Sequence, residues 1–110
     1  MNKALLSKIK KIRDERDWKQ FHLPKNLAIS LVLEATEALE LFQWTKDNKL
    51  PNEKVSELKG EIADVYYWLL LLADEYQIDL DEALHNKLKI IAKKYPIEKS
   101  KGSSKKYTEL

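Results

Sequence analysis

The chain has 110 residues, 44% hydrophobic and 35% charged, a mixture that folds as one domain and does not stay disordered. Two Gly and three Pro are too few for a turn-rich β-sandwich, and with no Cys there is no disulfide, thiolate metal site or cysteine nucleophile. The net charge is +2, but residues 93–110 hold six Lys against two Glu, so the basic excess belongs to the tail and the body is mildly acidic. A nucleic-acid binder more often carries a basic stripe across its folded body. Met1–Lys11 has no apolar run that suits a signal peptide, and the longest apolar stretch, Val65–Ala73, is nine residues against the roughly 20 of a membrane helix. The expectation is a soluble cytoplasmic protein with neither nucleic acid nor membrane as partner.

Four helices and a tail follow from the hydrophobic pattern. The first covers about Lys3–Arg16, with Leu5, Leu6, Ile9 and Ile12 to one side. A connector, Asp17–Pro24, holds two aromatics and His22, unusual content for a plain linker. Pro24 suits the first turn of a second helix, about Lys25–Trp44. Asp47-Asn48 and Pro51 mark a loop over Thr45–Asn52, and Asn52 is the expected N-cap of a third helix, about Glu53–Tyr76. Gly60 inside that helix is costly and suggests a close approach by a neighbour. After the loop Gln77–Leu80, Asp79 followed by Glu82 resembles a capping box. The fourth helix stops at about Lys94, before Pro96. Residues 1–96 form the helical body, and residues 97–110 are expected as an extended tail that docks on the same assembly. No period-two pattern persists, so the class is all-α, most simply a four-helix bundle. The third helix is apolar all round over Val65–Leu72 and needs cover on every side, which predicts a homo-oligomer.

The informative residues are acids. At 100° per residue with Glu34 at zero, Leu27 falls near about 20°, Ala38 near 40° and Leu31 near 60°, so Glu34 shares an apolar stripe and Glu37 sits at its polar edge. Counted from Glu61, Leu72 falls near about 20° and Val65 near 40°, with Asp64 at the edge. Two helices thus each carry an acid-x-x-acid pair with one member on a core-like stripe. Converging carboxylates repel, and buried without a counter-ion they are expensive. Carboxylates without Cys or paired His suit a hard cation, Mg²⁺ or Mn²⁺, which also binds substrate phosphates. The bland alternative is solvated Glu at the edge of a core. A di-iron bundle needs two Glu-x-x-His motifs, and Glu82-Ala-Leu-His85 is the single one here.

Five segments in order resemble the MazG-type nucleotide pyrophosphohydrolases, in the small dCTP pyrophosphatase-like branch. They are Arg13–Leu27, Glu34–Trp44, Glu61–Val65, Lys94-Tyr95-Pro96 and Lys106–Leu110. The resemblance implies an all-α homodimer or homotetramer that uses Mg²⁺ to split a nucleoside triphosphate into monophosphate and pyrophosphate in nucleotide-pool cleaning. It implies Glu34, Glu37, Glu61 and Asp64 as the catalytic, metal-binding acids. Glu34, for its apolar surroundings, is the expected acceptor of the water's proton. It also implies a base pocket from Trp18, His22, Trp44 and Trp68, the last where relatives carry Tyr, and a phosphate contact from Lys87. Two departures bear on specificity. Ile91 stands where many relatives carry Asn, and Ile9 where some carry a polar residue. Both remove hydrogen bonds that read a sugar or base. Ile91 also motivates the alternative, a helical oligomerisation or nucleotide-binding module without turnover. A nucleic-acid binder working through the Lys-rich tail is the third reading.

Overall fold

The computed structural model describes residues 2–110; Met1, the first residue of the expected 1–96 body, lies outside them. Among the described residues there are five helices and no strand, in agreement with the all-α expectation. They are α1 Lys3–Glu15, α2 Pro24–Glu40, α3 Asn52–Glu75, α4 Leu80–Lys94 and the single turn α5 Ile97–Ser100. Two 3₁₀ turns, Lys19–Phe21 and Tyr107–Glu109, complete the set. The chain divides into two compact units, residues 2–77 and residues 78–110.

In the first unit, α2 and α3 form the principal helix pair and α1 lies against α3. Among the described residues the buried core is small: Leu6, Leu27, Leu70, Leu71 and Ala73, with Arg13 as its one charged member. Lys10 Nζ and Asp74 Oδ2, 3.0 Å apart, join α1 to the end of α3. The Asn2 side chain accepts the Leu5 N–H at 3.1 Å and so caps α1. That helix ends where Asp17 turns left-handed (φ 54°), a conformation Asp tolerates better than most residues. The Gln20 amide donates back to the Asp17 carbonyl and carboxylate and holds the turn. Pro24 opens α2 as expected, with Leu23 before it extended.

Two boundaries and one interior position differ from the sequence expectation. α2 stops at Glu40, four residues short of Trp44, because the N–H groups of Leu41, Phe42 and Gln43 bond three residues back instead of four. Trp44 then takes φ 68°, which ends any helix. Asn52 is the first helical residue of α3 and not its cap; the Pro51 carbonyl accepts the Lys54 N–H instead. Gly60 marks no close approach, since a Cβ there would meet nothing within 4 Å.

In the second unit, Asp79 caps α4 as expected, its Oδ1 accepting the Asp81 and Glu82 N–H groups at 3.0 and 3.2 Å. Residues 81–94 of α4 are all exposed. The tail is not extended throughout. It folds through α5 and a turn at Gly102 (φ 76°) to the 3₁₀ turn at Tyr107. The Tyr107 ring then packs edge-on against Tyr95 at 6.0 Å, with Lys94 Nζ 4.6 Å from its centroid. Two aromatics and a cation thus return the tail to the end of α4.

Candidate functional site

The acid-x-x-acid pairs of α2 and α3 meet. Glu34, Glu61 and Asp64 each offer an oxygen, and the three oxygens lie within 4.8 Å of one another. Glu34 and Glu61 are half-buried and Asp64 and Glu37 exposed, the division the helical wheel predicts. Glu34 Oε2 and Glu61 Oε2 are buried without a hydrogen-bond partner. Burial pushes the Glu34 carboxyl above its ordinary range, and a proton-sharing contact with Glu37 and the charges of Glu37, Asp64 and Glu61 push it the same way. Glu61 is raised for the same reasons: burial first, then Glu37, Asp64 and Glu40. Glu37 is thus close to both, although it stands outside the tight trio. Two orphaned buried oxygens in an all-oxygen donor set, with repulsion unrelieved, fit a hard divalent cation.

One helical turn from the acids lies an aromatic cavity of about 480 Å³. Trp18, Phe21 and His22 from the connector, Asn26, Leu27, Ile29 and Ser30 from α2, and Trp68 from α3 line it. Ser30 precedes Glu34 by four residues and Trp68 follows Asp64 by four, so the same two helices carry both features. His22 packs edge-on against Trp68 with centroids 5.4 Å apart, and Tyr67 also meets Trp68 edge-on, at 5.0 Å. Burial lowers the His22 imidazole below its ordinary range, and the Arg13 cation lowers it further. His22 Nδ1 is buried without a partner. The Asn26 amide donates to the Phe21 carbonyl at 3.2 Å and fixes the connector over α2.

Of the expected base-pocket residues, the structure gathers Trp18, His22 and Trp68 and leaves Trp44 apart. Trp44 is 90% exposed and borders a different hollow, with Lys46, Lys49 and Lys54. The reason is the early end of α2, which puts Trp44 at the far end of a left-handed turn. Lys87 is exposed on α4 in the second unit. Sequence reasoning missed Arg13 and Glu40. Both had a signal: Arg13 shares the face of Leu6 and Ile9 on α1, and Glu40 continues the three-residue spacing of Glu34 and Glu37.

Comparison with known proteins identifies the family. The MazG-like family matches residues 29–110. The dCTP pyrophosphatase 1 of Homo sapiens is 42% identical over 102 residues, covering 87% of this chain and 59% of that protein. The dCTP pyrophosphatase 1 of Mus musculus is 41% identical over 101 residues, with the same coverage. The chain thus spans about three-fifths of the length of these curated relatives. The crystal structure of a pyrophosphatase from Archaeoglobus fulgidus superposes with a TM-score of 0.81 at 39% identity, covering 84% of this chain and 90% of that one. With its acid-bearing helix pair, its all-α fold and a family match over most of its length, the chain belongs to the MazG-like family.

Proposed function

We propose that this chain is an Mg²⁺-dependent pyrophosphohydrolase that converts a (deoxy)nucleoside triphosphate, with dCTP as the leading candidate, to monophosphate and pyrophosphate. The carrying observation is the trio Glu34, Glu61 and Asp64, with ligand oxygens within 4.8 Å and two of them orphaned, one helical turn from an aromatic cavity. Glu34, Glu61 and Asp64 would hold the cation, with Glu37 at its edge. When bound, Mg²⁺ neutralises triphosphate charge and lowers the pKa of water. The chain's own residues do the rest. Trp18 and Trp68 offer faces and edges for a base, and His22 offers one polar atom among them. Glu34, on the apolar stripe of α2, would accept a proton from the water that attacks the α-phosphorus. Mn²⁺ meets the same donor set.

The reading places this chemistry in residues 1–96 and gives residues 97–110 a docking role in the same assembly. A homodimer or homotetramer belongs to it. Trp44, which this structure does not bring to the cavity, and Lys87 would serve the substrate there. Support comes from the exposed apolar side chains of α2: Leu39 (69%), Val32 (64%) and Leu33 (58%). The test is incubation with Mg²⁺ and a panel of canonical and modified triphosphates, followed by separation of products. Monophosphate with intact pyrophosphate is expected. Diphosphate with orthophosphate would overturn the reading, and bound nucleotide without product would indicate a non-catalytic module. Glu61→Gln and Asp64→Asn should each lower turnover at least about a hundredfold while keeping the helical spectrum.

A further inference from the structure

We propose that the Ser30 hydroxyl hydrogen-bonds a hydroxyl of the nucleotide's sugar, which makes Ser30 a specificity-determining residue of the site. The inference deepens the proposed function and rests on its nucleotide substrate.

Three polar residues of α2, Asn26, Ser30 and Glu34, follow one another at intervals of four. They stand on adjoining turns of one helix side, about 6 Å apart along the axis. The outer two belong to different features. Asn26 lines the aromatic cavity beside the connector, and Glu34 is one of the three converging acids. On α3 the order is reversed: Glu61 and Asp64 come first, and Trp68, in the cavity wall, a turn later. The two helices therefore run antiparallel through the site and share one axis, with aromatic rings at one end and carboxylates at the other. A nucleoside triphosphate laid along it has its base among the rings and its phosphates toward the acids. Its sugar then falls between them, at the turn that Ser30 occupies.

The side chain suits that place. Ser30 is half-buried and lines the cavity. Thr36, the other hydroxyl of α2, donates its proton to the Val32 carbonyl at 2.9 Å. Among the described residues Ser30 makes no such bond, and its oxygen is not one of the buried, unpartnered atoms, so the hydroxyl is both unspent and reachable. The polar neighbours in the cavity are less apt. The indole N–H groups of Trp18 and Trp68 only donate, the Asn26 amide donates to the Phe21 carbonyl at 3.2 Å, and His22 Nδ1 is buried. A serine hydroxyl both donates and accepts, and so meets a sugar hydroxyl in either orientation. A Ser30 that is merely solvated on its helix would be indifferent to the sugar.

The test measures kcat/KM, with Mg²⁺, for three triphosphates that differ in the sugar alone: CTP, dCTP and 2′,3′-dideoxy-CTP. Should another base be preferred, its three sugars replace those of cytosine. Ser30→Ala removes the hydroxyl and favours helix, so the helical spectrum should be kept. The variant should lose about fivefold in kcat/KM on a nucleotide that carries the contacted hydroxyl and nothing on the dideoxy form. Loss on both CTP and dCTP assigns the contact to the 3′-hydroxyl, and loss on CTP alone assigns it to the 2′-hydroxyl. Equal loss on all three nucleotides, or loss on none, would overturn the proposal. Dissociation constants of the three corresponding monophosphates, read by calorimetry, repeat the comparison without turnover. If the unaltered protein turns over nothing but binds monophosphates in this pattern, the proposed function falls and the Ser30 contact stands. An unaltered protein that binds none of them overturns both.

Discussion

At Glu34 the candidate site sets a half-buried carboxyl among three other acids. Its carboxyl is raised by burial and by Glu37, Asp64 and Glu61, so the folded protein holds a proton that the unfolded chain releases. Where the unfolded chain binds fewer protons, stability falls as pH rises. The metal-free protein should therefore lose stability from the ordinary carboxylate range up through the raised Glu34 value. Glu34→Gln should flatten that dependence and raise the metal-free Tm at pH 7 by about 2–5 °C, read by calorimetry. Mg²⁺ should stabilise the unaltered protein and do less for Glu34→Gln. A lower metal-free Tm in the variant would show that repulsion is not what the site stores. Both acids on the apolar stripes, Glu34 and Glu61, were legible by counting positions, because a wheel needs only helix geometry. Arg13 and Glu40 were not singled out, since a lone cation on an amphipathic face and a third acid on a polar edge look like ordinary surface.

At the scale of elements, α3 carries most of the architecture in 24 residues. It supplies Glu61, Asp64 and Trp68 and the buried Leu70, Leu71 and Ala73. Gly60 sits within it next to Glu61, with open space where a Cβ would be. Gly60→Ala should therefore stabilise the protein by about 0.5–1 kcal/mol, seen as an upward shift in thermal unfolding, with activity retained. Destabilisation would mean that the space is filled in the functional assembly. α2 and the tail teach the opposite lesson. Leu and Ala run through Leu41 and favour helix, yet 3₁₀ hydrogen bonds end α2 at Glu40 and throw Trp44 out of the cavity's reach. The tail sequence Gly102-Ser103-Ser104 reads as extended, but Tyr107 finds Tyr95 and Lys94 and folds it back. Aromatic and cation–π contacts between distant positions leave no periodic trace.

For the whole molecule, the outstanding feature is apolar surface. α2 presents Ile29, Val32, Leu33 and Leu39 to solvent, beyond what scattered exposed apolar residues explain. A second copy is the proposed cover. Light scattering at micromolar concentration should show a dimer or tetramer, and Leu39→Glu should shift it toward the monomer. A monomer in the unaltered protein would overturn the oligomer and remove the route by which Trp44 reaches a base.

The sequence by itself determined the helical class, the order of the four long helices, the Asp79 cap and the two acid pairs. These depend on periodicity, capping chemistry and residue type, which are local. Tertiary structure alone decided that Glu34, Glu61 and Asp64 converge within 4.8 Å and that His22 meets Trp68. Those facts depend on how α1, α2 and α3 pack and on one left-handed turn at Asp17, and long-range packing has no signature in a local pattern.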